Sequence, residues 1–84
     1  MLTTGNQLRA ARALAGMDQG TLAERAGLNI NTIGSMEKRG PGGLTSGLDT
    51  VQAVMRVLEA EGVEFLNHGH PGVRLAKPKG ASNE

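Results

Sequence analysis

Residues 18–38 run Asp18-Gln19-Gly20-Thr21-Leu22-Ala23-Glu24-Arg25-Ala26-Gly27 and then Leu28-Asn29-Ile30-Asn31-Thr32-Ile33-Gly34-Ser35-Met36-Glu37-Lys38. Asp18 offers a side-chain cap to a helix that continues through Leu22, Ala23 and Ala26, so helix 2 is predicted over about 18–26. Gly27 stops it, because glycine takes the left-handed conformation without a Cβ penalty. Asn29 then caps a third helix over about 30–38, with Ile33 and Met36 on its apolar side. Two short amphipathic helices separated by such a tight turn are the helix-turn-helix arrangement. Ala23 is small where the helices cross, and Leu22, Leu28, Ile33 and Met36 fasten the pair to a core.

Working outward, Thr4-x-x-Gln7 is a capping-box pattern opening helix 1. That helix is predicted to reach Ala15, with Leu8, Ala11, Leu14 and Ala15 inward, and Gly16 ends it. Gly40-Pro41-Gly42-Gly43 reads as a loop. Ser46-x-x-Asp49 then opens helix 4, over about 47–61, with Leu48, Val51, Met55 and Leu58 as its apolar stripe, widened by Val54. After Gly62 the period changes to two. Val63 to Leu66 and Val73 to Ala76 read as strands around Asn67-His68-Gly69-His70-Pro71-Gly72. Residues 1–62 thus form a mainly α domain of four to five helices. The hairpin at 63–76 either belongs to it or forms a dimer interface, and the polar stretch 77–84 is expected to be disordered.

Composition narrows the function. With 84 residues, one Phe and neither Trp nor Tyr, the core must be aliphatic and small, which favours burial against a second subunit. The net charge of +1 is unevenly spread. Arg9, Arg12, Arg25, Lys38 and Arg39 dominate residues 1–40, whereas Asp49, Glu59, Glu61 and Glu64 outnumber Arg56 in residues 41–66. A mildly basic front is compatible with a phosphate-facing surface. Lys77 and Lys79 read as a solubilising tail. The absence of cysteine excludes disulfides and thiol catalysis. No secretory leader or membrane-length apolar run is visible, so a cytoplasmic protein without membrane contact is expected. His68 and His70 lack the Cys or acidic company of a metal site. The 40–43 loop lacks the Gly-Lys-Ser/Thr of a phosphate-binding loop. Neither an enzyme nor a cofactor is expected, and one Phe is too few for a single-strand stacking platform.

The runs Leu8-Arg9-Ala10-Ala11-Arg12, Asp18 to Leu28, Thr32-Ile33 and Met36-Glu37 resemble the Xre-type helix-turn-helix regulators, relatives of the lambda-type phage repressors and Cro. The resemblance spans about the first 60 residues. It implies a lambda-repressor-like DNA-binding domain acting as a homodimer on inverted-repeat operators, a repressor or a repressor that also activates. It also implies that Gln19 caps helix 2 against a DNA phosphate and that Ile30, Asn31, Gly34 and Ser35 face the major groove. Thr32, Lys38, Arg39 and Thr45 would flank on phosphate, and Arg12 with Glu37 would form a buried structural ion pair. Two departures thin the reading face. Ile30 suits a thymine methyl rather than a polar edge, and Gly34 has no side chain, which leaves Asn31 as the best direct reader, of adenine. The C-terminal Gly62 to Leu66 and Pro71 to Leu75 are similar to a hairpin ending many short bacterial Xre-type regulators, whose edge can pair with a second subunit. Helix 4 is the other candidate dimer surface. The competing expectation is a protein-interaction module or antiactivator-like adaptor that keeps the fold without reading DNA, and a regulatory protein partner fits either.

Overall fold

The computed structural model describes residues 1–67 and 69–76. Four helices, α1 (Gly5–Ala15), α2 (Gln19–Ala26), α3 (Ile30–Lys38) and α4 (Leu48–Ala60), are followed by strands β1 (Val63–Leu66) and β2 (Gly72–Leu75). His68 and the stretch 77–84, where a disordered tail was expected, lie outside the described residues. No helix among the described residues is long and apolar enough to cross a membrane.

The caps set the helix limits. The Thr4 hydroxyl accepts from the Gln7 N–H while the Gln7 side chain accepts from the Thr4 N–H, so the α1 capping box is complete. Asp18 accepts from Thr21 N–H to start α2, and Asn29 accepts from Asn31 N–H to start α3. Gly27 ends α2 at φ 73°. At α4 the expected Ser46 cap is not made. Gly47 holds the N-cap position without a side-chain bond, and Asp49 lies in the first turn, where a carboxylate meets the positive end of the helix dipole.

Leu8, Leu22, Ile33, Val54, Leu58 and Val63 are the largest fully buried side chains. Two leucines expected inside are not. Leu14 is 38% exposed and Leu48 58% exposed. Leu14 lies about 120° round α1 from Leu8, and Leu48 about 120° round α4 from Val54, at about 100° per residue. The face α4 buries is instead Val51, Val54, Val57 and Leu58, and Met55 is only half-buried.

α1 meets the end of α3 at very short range. A Cβ on Gly5 would lie 2.5 Å from the Met36 carbonyl oxygen and 2.8 Å from the Gly40 nitrogen, so only glycine fits. The 40–44 loop is stitched to the N-terminal segment by Asn6 N–H to Gly40 O at 2.8 Å and Leu44 N–H to Thr3 O at 2.9 Å.

The antiparallel hairpin pairs Val63 with Leu75 and Phe65 with Val73. These four side chains turn to the core, while Glu64 and Arg74 form an ion pair across the other face. β2 begins at Gly72, one residue earlier than the sequence suggests, and ends at Leu75, although the Ala76 N–H still bonds to the Gly62 carbonyl. Buried Gln7 ties the hairpin to α1. Its Nε2 donates to Leu66 O at 3.2 Å and Gly72 O at 3.1 Å, while its Oε1 accepts from the Thr3 and Thr4 N–H groups.

Candidate nucleic-acid interface

α2 and α3 are joined by Gly27, Leu28 and Asn29. The Leu28 N–H bonds to the Ala23 carbonyl at 2.8 Å, which fixes the direction in which the chain leaves the turn. Ile33 and Met36 then plug α3 into the core. Holding that side inward turns the opposite side out, and Ile30, Asn31, Ser35 and Lys38 are exposed there. With Gly34 and Gln19 they line an open groove of about 500 Å³ between the start of α2 and the outer face of α3. The spacing i, i+1, i+4, i+5, i+8 along α3 explains why they share one side.

Not all the sequence-selected residues converge there. Thr32 is half-buried on the flank of α3. Exposed Arg39 follows the helix, and its Nε donates to the Gly43 carbonyl at 3.0 Å, which fastens the loop. Thr45 is exposed beyond that loop.

Glu37, on the last turn of α3, is the hub behind the groove. Its side chain is only 3% exposed. Arg12 grips it in bidentate fashion, Nε to Oε2 at 2.7 Å and Nη2 to Oε1 at 3.0 Å, and also donates from Nη1 to the Met17 carbonyl at 3.0 Å. Gln19 Nε2 donates to Glu37 Oε1 at 3.0 Å. One carboxylate therefore joins α1, the first residue of α2 and the end of α3. Burial by itself pushes the Glu37 carboxyl up, but the hydrogen bonds from Arg12 and Gln19, with the charges of Arg12 and Arg9, bring it below the ordinary value. The hydrogen bond to Glu37 likewise raises the Arg12 guanidinium against its desolvation.

Two features were not legible in the sequence. Gln19 donates to Glu37, so one of its two amide hydrogens is committed inside the protein rather than directed outward. The carboxylate of Asp18 stands beside it, held below its ordinary value chiefly by the backbone N–H of Thr21. The second is Arg9. Its side chain is 60% exposed, with Nε 3.8 Å from Glu37 Oε1. This adds a cation near the end of α3, and its position one turn before Arg12 was the available signal.

No group of three or more potential metal ligands occurs among the described residues, and His70 is exposed. Compared with known protein families and with curated proteins, the chain matches none.

Proposed function

We propose that this chain is a sequence-specific, double-stranded DNA-binding transcriptional regulator that acts as a homodimer and uses α3 as its recognition helix. The observation that carries this reading is the outward side of α3, polar or small except for Ile30 and held off the core by Ile33 and Met36. A B-DNA major groove admits an α-helix presented in this way. Asn31 bonds the N6 and N7 edge of adenine, Ile30 packs on a thymine methyl, and Ser35 bonds either donor or acceptor edges. Lys38, Arg39, Thr32 and Arg9 meet phosphates, which set register and salt dependence without conveying sequence. With so few polar readers, specificity draws also on half-site spacing and duplex deformability.

The test is selection from a random duplex library followed by fluorescence anisotropy on the enriched sequence. Asn31→Ala is expected to weaken the selected duplex by about 5- to 100-fold while leaving non-specific binding nearly unchanged. Lys38→Ala should weaken all duplexes alike and lower the slope of log K against log salt by about one. A folded protein that enriches no sequence and binds no duplex at low salt would contradict the proposal.

Ile30, 49% exposed, motivates a second reading as a protein-interaction module. In that case Ile30→Asp abolishes capture of the partner, whereas Asn31→Ala has no effect.

A further inference from the structure

The outer face of α4 has a pattern that its own subunit does not use. Leu48 is 58% exposed, Met1 beside it is 50% exposed, and half-buried Met55 and Leu44 extend the apolar surface. At about 100° per residue, Leu48 and Met55 lie on one side of Gln52, whereas Asp49 and Arg56 lie on the other. Both charged residues are exposed, and neither enters an ion pair among the described residues. They cannot satisfy each other within the helix, because seven residues separate them by about 10.5 Å of rise.

We infer that this face is a self-complementary docking surface on which a second copy of the chain packs, α4 against α4 and antiparallel, about a two-fold axis beside Gln52. A two-fold contact brings the same patch of both subunits together. An axis perpendicular to the plane of the two helices opposes like flank to like flank. The apolar flank then faces its copy, with Leu48 near Met55 of the other subunit. On the other flank Asp49 of each copy meets Arg56 of the other, since the midpoint of the two positions falls beside Gln52. Opposite charges placed symmetrically about one helix centre thus become two intersubunit pairs, with the apolar contact beside them. A small aliphatic core gains from such added burial.

The inference rests on the homodimer part of the proposed function, but its test needs no DNA. Sedimentation equilibrium of the full chain is expected to show a monomer–dimer equilibrium. Asp49→Arg and Arg56→Asp, each alone, set like charges opposite one another in both pairs and should weaken the dimer by about tenfold or more. The double variant Asp49→Arg/Arg56→Asp restores opposite pairing and should return within about threefold of the original. Circular dichroism on each variant checks that α4 stays helical, because Asp49 also sits in its first turn. A chain that is monomeric throughout, a dimer indifferent to either single change, or a folded double variant that fails to recover would each overturn the inference. In the indifferent case, slowed hydrogen exchange along β1 on association would place the contact at the β1 edge instead. A dimer that binds no DNA would sink the DNA-binding proposal and leave this inference standing, whereas DNA binding by a strict monomer would sink this inference and the homodimer part of the proposed function but leave DNA recognition by α3 standing.

Discussion

Glu37 concentrates the residue-scale physics, because a carboxylate so little exposed persists as an anion only while its donors stay in place. Arg12→Leu leaves that charge without its bidentate partner and is expected to cost about 3 kcal/mol, read as a shift of the urea midpoint. Replacing both residues with apolar ones should cost less than the sum of the two single changes, because no unpaired charge remains. The pH dependence has a definite sign. The folded-state carboxyls of Glu37 and Asp18 sit below their ordinary values of 4.5 and 3.8. Their contribution is therefore fully present above those ordinary values and is lost as pH falls through the folded ones. Urea midpoints should be flat from about pH 7 to pH 5 and decline below about pH 4.5, and Glu37→Gln should flatten part of that decline. A midpoint independent of pH down to 3 would contradict the pairing seen around Glu37.

Among the elements, α2 and α3 follow local rules closely, and two glycines separate what is local from what is not. Gly27 at φ 73° needs only backbone freedom, since a Cβ there would meet nothing within 4 Å. Gly27→Ala should cost about 1–2 kcal/mol, the price of a left-handed alanine. Gly5→Ala sets a methyl group against backbone atoms of Met36 and Gly40 and should cost more, lowering Tm further than Gly27→Ala does at ~4–8 °C per kcal/mol in a domain of this size. Thermal denaturation of the two variants compares them directly. The need for Gly27 was legible because it follows from its own turn. The need for Gly5 was not, because it depends on a segment more than thirty residues away. The same distinction explains the misplaced leucines. Leu14 and Leu48 fit an apolar stripe by spacing, but which arc of a helix meets the core is decided by its neighbours. The groove residues Ile30, Asn31, Gly34 and Ser35 were named only through the resemblance, and they share one side of α3 because Ile33 and Met36 hold the opposite side in the core. The Gln19–Glu37 bond was not legible, since sequence spacing does not say which side-chain atoms meet across three helices.

For the whole molecule, the hairpin is built into the helical unit through Val63 in the core and the side-chain hydrogen bonds of Gln7 to Leu66 and Gly72, so it braces α1 rather than hanging free. That leaves the α3 groove and the outer face of α4 as separate surfaces, one proposed for DNA and one for a second copy. A dimer of this kind predicts two half-sites about one helical turn, ~34 Å, apart. The most direct measurement is an NMR titration of the isotope-labelled chain with its selected duplex at low salt. Amide shifts should concentrate at the start of α2, along Ile30 to Arg39 and at Arg9, and spare β1 and β2. A well-folded spectrum that does not respond to the duplex, or shifts that gather on the hairpin and leave α3 untouched, would contradict the account.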